Sequence, residues 1–233
     1  MGIVVVQAVS AQASGATSVT TPSFNSTSSN LLAAIGVSDG KSEPATPYSD
    51  NKSNSWQVAT PWAATRGSEC ALSQSYAQAL VGGTGHTVTY TVSASGFPSV
   101  AVVEISGLDL TAAEDQHASS QILNQSNPHV TGTTPTTTTA DEICVSGMTH
   151  NGGSSPTFAA ANGVVQTSET NTANMPVVLS TQIVTGTGTQ NESYTLSPDV
   201  SPSHAAGIAT YAMASAGPAD WTVEGHSRLS PRF

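Results

Sequence analysis

The chain repeats itself, and the repeat constrains its architecture more than any single motif. "YTVSASGFPS" at 90–99 and "YTLSPDVSPS" at 194–203 share Tyr, Thr, an aliphatic residue and Ser, followed by Pro-Ser at the same spacing. Each leads into an apolar run, "VAVVEIS" in the first case and "AAGIATYAM" in the second. Upstream, "TTPSFNSTSSNLLAAIGVSDG" (20–40) resembles "TTPTTTTADEICVSGMTHNGG" (133–153), and each ends in a turn signal. The Tyr90-to-Tyr194 offset is 104 and the Gly36-to-Gly147 offset is 111, so the halves differ by several residues of loop. Two units of about 100 residues are too few for a solenoid, which needs about three or more. They fit a pseudo-duplicated β-sandwich.

The expected strands include Ile3–Val9, Asn30–Val37, Ser55–Ala59, Cys70–Gln78, Thr87–Ser93 and Val100–Ser106 in the first half. The second half contributes Glu142–Met148, Val164–Ser168, Val177–Val184, Ser193–Ser197 and Ala206–Met213. Their β-branched content and the Gly, Pro, Asn and Asp between them carry the assignment. The only stretch of helix formers, Leu110–His117, is short. At 233 residues the chain is large enough for one all-β unit with a real core. A single antiparallel β-sandwich is therefore expected over 1–216, with halves at about 1–125 and 126–216, a continuous core and a C-terminal extension at 217–233.

Charge narrows the partners. Charged residues make up only 9% of the chain, and fifteen acids against five bases give −10. With no basic patch, nucleic acid and anionic membranes are poor partners. No run approaches the ~18 apolar residues of a membrane-spanning helix. The opening "MGIVVVQAVSAQASG" mimics a signal peptide, but no base precedes Ile3 and the continuous apolar stretch Ile3–Val6 is short for one. Cys70 and Cys144 are too few for a disulfide framework and are expected as buried free thiols rather than a bridge.

One patch looks chemical. Glu104, Asp109, Glu114, Asp115 and His117 follow one another closely after an apolar run. Val100, Val102 and Glu104 share one strand face, with Ala101, Val103 and Ile105 on the other, so Glu104 is expected to accept hydrogen bonds near a sheet margin. Asp109, just beyond Gly107, suits an Asx turn. Glu114 and Asp115 are adjacent, so in extended chain they point opposite ways. Turn chemistry is the preferred reading over a Ca²⁺ site from Asp109, Glu114 and Asp115, and over catalysis. The six His at 86, 117, 129, 150, 204 and 226 form no zinc motif. No G-x-S-x-G elbow occurs, and a Ser-His-Asp triad cannot be singled out against so many Ser. No catalytic, metal or cofactor-binding residue is assigned. Tyr48, Trp56, Trp62 and Tyr76 are the densest aromatic group, with Trp56 expected in the core.

The succession "NLLAAIG … SDNKSNSWQVA … CALSQSYAQALVGGTGHTVTYTV … VAVVEISGLD … DQHASSQ … TTPTTTTADEICVSGM … GIATYAM" resembles a jelly-roll-like β-sandwich domain family of phage virion and bacterial surface proteins. The resemblance spans about residues 16–214. It implies a structural protein of a virion and not an enzyme, most concretely a phage capsid decoration or cement protein. Such a protein would be a homo-oligomer, dimer or trimer, bound to the major capsid protein or other virion proteins after assembly in the host cytoplasm. The alternative is a carbohydrate-binding or adhesive surface module of a tail, fibre or cell surface. After Met213 the pattern changes to "SAGPADWTVEGHSRLSPRF". Residues 1–216 hold three bases and thirteen acids, a net −10, whereas 217–233 hold two of each and are neutral. Trp221, Leu229 and Phe233 are spaced apolar anchors and Arg228 and Arg232 suit an acidic surface, so this segment is expected to be an assembly arm. Folding back on its own sandwich as a strap is the competing expectation.

Overall fold

The structure is a computed structural model. It describes residues 2–39, 44, 46–59, 63–65 (backbone only), 69–151, 155–170, 175–199 and 203–214. Among these residues all extended regular structure is strand. The first half contains β1 (Val4–Gln12), β2 (Ala16–Thr20), β3 (Phe24–Ser26), β4 (Leu31–Ser38), β5 (Tyr48–Asp50), β6 (Gln57–Val58), β7 (Ala63–Thr65), β8 (Ala71–Ala77), β9 (Gly83–His86), β10 (Val88–Gly96) and β11 (Ser99–Ser106). The second contains β12 (Glu114–Ile122), β13 (His129–Thr133), β14 (Asp141–Asn151), β15 (Thr157–Ala160), β16 (Val164–Glu169), β17 (Val177–Thr185), β18 (Asn191–Ser197) and β19 (Ser203–Ala212).

The duplication seen in the sequence is a duplication of topology. The large sheet of the first half runs β1-β11-β4-β8-β6, with β7 also on β8, and that of the second runs β12-β19-β14-β17-β16. A three-stranded sheet accompanies each, β2-β10-β5 and β13-β18-β15, and the small β3-β9 pair belongs to the first half. All pairings are antiparallel. Substituting β12 for β1, β19 for β11, β14 for β4, β17 for β8 and β16 for β6 maps one large sheet onto the other.

The two large sheets face each other, and each carries its own three-stranded sheet on the outer side, making four layers. Leu31, Ile35, Leu72, Val103 and Ile105 of the first half form one continuous core with Ile143, Val145, Leu179, Ala209 and Tyr211 of the second. Behind it lies a separate inner core in each half. The central strands β4, β11, β14 and β19 are therefore covered on both faces, which is why they read as unbroken apolar runs. β18 is covered on one face and alternates instead. The expected all-β antiparallel sandwich with a continuous core is what is found.

Two details differ from the sequence reading. β12 pairs with β19, so the second half's sheet begins at Glu114, ahead of the 125/126 division. The repeat register also changes. Ser99 lies opposite Val37 and Ser203 opposite Asn151, so β4 and β14 correspond at an offset of 114, not 111. A three-residue slip in a strand reverses the face of every side chain. A Cβ on Gly36 would stand 2.4 Å from the Tyr90 ring in the inner core, whereas one on Gly147 would stand 2.2 Å from Ile35 Cδ1 in the central core. Each glycine permits a close approach, but on opposite faces.

Candidate functional site

The structure disperses the acidic patch. Glu104, 1% exposed, faces the inner side of the first half. Its carboxylate accepts hydrogen bonds from Gln7 Nε2 (2.5 Å), Asn30 Nδ2 (2.6 Å) and the Thr27 N–H (2.8 Å), tying β1 and the β3–β4 connection to β11. Asp109 Oδ1 accepts from the Thr111 N–H, the Thr111 hydroxyl and the Ala112 N–H, closing the expected turn, and these bonds hold its carboxyl below the usual range. Asp115 accepts from the Thr138 backbone and hydroxyl.

Two features of this patch escaped the sequence. A bulge between Glu114 and His117 brings these residues to the same side, with His117 Nδ1 2.9 Å from Glu114 Oε1, so the patch does hold a paired imidazole. Burial raises the Glu114 carboxyl despite the His117 contact. The second is Glu142 on β14, fully buried and hydrogen-bonded to Asp115 and Thr139. Burial, reinforced by the neighbouring Asp115 charge, pushes Glu142 up to about 7. Burial pushes Asp115 up as well, but the hydrogen bonds from Glu142 and Thr138 prevail and leave it lowered.

A Ser-His-Asp grouping does exist, in the first half. Ser26 Oγ lies 2.6 Å from His86 Nδ1, and His86 Nε2 lies 3.7 Å from Asp50 Oδ1. That last distance is beyond hydrogen bonding. Asp50 is engaged elsewhere: Oδ1 accepts from the Lys52 and Asn54 N–H groups, and Oδ2 from Trp56 Nε1 at 2.8 Å. His86 is fully buried, stacks on Phe24 at 5.0 Å, and burial lowers its basicity. The Ser26 hydroxyl faces a buried ring instead of open space, and its bond to His86 joins β3 to β9.

Trp56 is half-buried and packs against the margin of the first half's inner core. Its ring stacks on Tyr48 at 5.5 Å and 20°, and it lines a hollow of about 320 Å³ with Thr46, Asn54, Ser55 and Ser75. Trp62 lies outside the described residues. Cys70 and Cys144 are both free and buried.

The edges of the two large sheets meet where β1 runs beside β16. There Ile3, Val4, Val5, Val164 and Ile183 line a groove of about 480 Å³. Val164 is 66% exposed, Val4 54% and Ile183 53%, large values for aliphatic side chains that adjoin one another. The "IVVV" run of the N-terminus is thus the start of an edge strand. Further along, Ser10 Oγ bonds Thr167 Oγ1 (2.7 Å) and Glu169 Oε1 (2.8 Å), fixing β1 against β16. The expected assembly residues Trp221, Arg228, Leu229, Arg232 and Phe233 lie outside the described residues.

Fold and sites together define a four-layer all-β protein whose buried polar clusters hold loops in place and whose open features include an apolar groove and an aromatic-lined hollow. No family model matches the chain, and neither a curated protein nor a solved structure matches it.

Proposed function

We propose that this chain is a structural protein of a virion, most concretely a decoration or cement protein that stabilises a phage capsid shell as a homo-oligomer. The observation that carries this reading is the apolar groove between β1 and β16, where Val4, Val164 and Ile183 adjoin one another in the open. Its occupant, in this reading, is the C-terminal segment of a neighbouring copy. Trp221, Leu229 and Phe233 supply apolar anchors, while Arg228 and Arg232 suit the acidic body. The last described residue, Ala214, donates its N–H to Gly107 O, and Gly107 abuts Gly2 and Ile3 at the groove. Ala214 therefore lies beside the kind of surface that the segment would cover on a neighbour. Non-enzymatic function is part of the proposal, supported by the engagement of Asp50, Glu104, Asp109 and Asp115 in holding loops.

The test is particle attachment and oligomeric state. Val164→Glu and deletion of 217–233 should each leave the sandwich folded by circular dichroism, yet lower the protein's oligomeric state and its sedimentation with intact particles. Unchanged attachment by a folded Val164→Glu protein would overturn the groove assignment.

A second reading, a carbohydrate-binding or adhesive module, is favoured by the Trp56–Tyr48 stack beside hydroxyl and amide groups. It predicts glycan-array binding that disappears in Trp56→Ala without loss of particle attachment.

A further inference from the structure

Three histidines widely separated in sequence meet in the inner core of the second half. His129 on β13, His150 on β14 and His204 on β19 are each fully buried. His150 lies directly opposite His204 in the ladder. His129 Nδ1 and His204 Nδ1 are 3.1 Å apart with their rings edge-on at 83°, so one of the two donates to the other. The His150 ring rests against Phe158 of β15. Both nitrogens of His150, His129 Nε2 and His204 Nε2 have no hydrogen-bond partner.

The fold itself does not require these residues. Tyr90 lies opposite Val19, as Tyr194 lies opposite His129. Val100 lies opposite Gly36, as His204 lies opposite His150. The three corresponding positions of the first half are therefore Val19, Val100 and Gly36, aliphatic or without a side chain. An orphaned buried donor or acceptor is costly, and the first half shows that the same frame closes with none at these three positions.

We propose that His129, His150 and His204 form an acid-operated release in the second half. While the imidazoles are neutral, the outer sheet β13-β18-β15 stays seated on β12-β19-β14-β17-β16. When they take up protons the outer sheet is freed.

The surroundings of the cluster leave added charge largely unbalanced. β13, β14 and β19 each bring one of the histidines. β15 presents Phe158. β18 presents Tyr194, whose hydroxyl is shared with Ser146 and Ser180 and whose ionisation burial pushes above its usual range. Among the described residues Asp199, beyond β18, is the acid whose charge acts on the cluster, and it acts on His129. Burial lowers all three histidines, and their mutual repulsion adds to this, bringing His150 and His204 to about 4. These values lie below the ordinary 6.5 of an unfolded chain, so the unfolded or released state binds protons first. Stability is complete above pH 6.5 and declines as pH falls from there towards 4, by about tenfold in the opening equilibrium per pH unit and per histidine. Among the described residues no three His, Cys, Asp or Glu converge as metal ligands would, which favours protons over a cation as the occupant.

Amide hydrogen exchange on the full chain at pH 7.5 and 5.0, corrected for intrinsic rates, tests this. β13, β15 and β18 should lose protection at least tenfold in acid, while β2, β5 and β10 hold theirs. Carrying the first half's residues across, as His129→Val, His150→Gly and His204→Val together, should flatten the response. If that protein does not fold, His204→Val alone should reduce its steepness by one histidine. His86 is retained in every variant, so its contribution cancels. Equal acid loss in both outer sheets, or an undiminished response in a folded variant, overturns the proposal. So does equimolar Zn²⁺ stabilising the wild type at pH 7.5 through all three histidines, because the cluster would then be a metal site.

Discussion

The two halves share a strand order but not a filling, and the contrast separates what the frame requires from what it tolerates. The first half packs Tyr48, Tyr90 and the half-buried Trp56 with Leu32, Val88 and Val100. The second has a smaller apolar cluster, Met148, Val178, Tyr194, Leu196 and Ala206, and completes the layer with three imidazoles. Loop supports differ in the same way. After β5 the Asp50 carboxylate gathers the N–H groups of Lys52 and Asn54. After β15 the task falls to Glu192, which reaches from β18 to the N–H groups of Ala161, Asn162 and Gly163. Glu104 ties down the β3–β4 connection, while Ile208 occupies the corresponding site on β19. Backbone pairing and the central core set the architecture, and the inner cores have diverged behind it.

The contrast can be broken by exchanging residues between halves. Gly36→His gives the first half the second half's residue against a Tyr90 ring that leaves no space even for a Cβ, and should cost about 3 kcal/mol or more in urea unfolding. Glu104→Gln turns an amide towards donors that a carboxylate had accepted from, and should cost about 2 kcal/mol. A smaller loss, about 1 kcal/mol, is expected for Tyr194→Phe, since Ser146 and Ser180 keep their 2.8 Å bond to each other.

Glu142→Gln sharpens the comparison through pH. The Glu142 carboxyl, at about 7 when folded, sits above its ordinary 4.5, so its contribution is complete below pH 4.5 and is lost as pH rises through 7. A neutral amide should therefore stabilise the protein at pH 8, by less than about 1 kcal/mol, and give no gain at pH 4.5, as read from thermal unfolding at the two pH values. This dependence runs opposite to that of the histidine cluster in the same half. The smallest expected effect is none at all. Burial pushes both Cys70 and Cys144 up to about 12, so neither should be alkylated by iodoacetamide at pH 8 until urea unfolds the chain, as read by mass spectrometry.

The sequence by itself determined the all-β class, the duplication and the central strands. Central strands are apolar on both faces, so β4, β11, β14 and β19 are legible without a partner. The YT[VL]S repeat located β10 and β18 at the correct offset because each carries a tyrosine that fills its own inner core. Asp109 was readable because the donors to its carboxylate lie within three residues.

Only the tertiary structure decided the rest. β12, "EDQHASSQI", lacks the composition of a strand and becomes one because β19 supplies its hydrogen-bonding partner, which also moves the boundary between halves to Glu114. The offset of 114 between β4 and β14 follows from ladder register, which local similarity around two glycines cannot fix. The pairings of His129 with His204, Ser26 with His86 and Asp115 with Glu142 join residues from 27 to 75 positions apart along the chain. Composition reveals that such side chains exist. Which of them face one another inside a dry core is set by strand pairing between distant segments, a property of the assembled layers and not of any one stretch of chain.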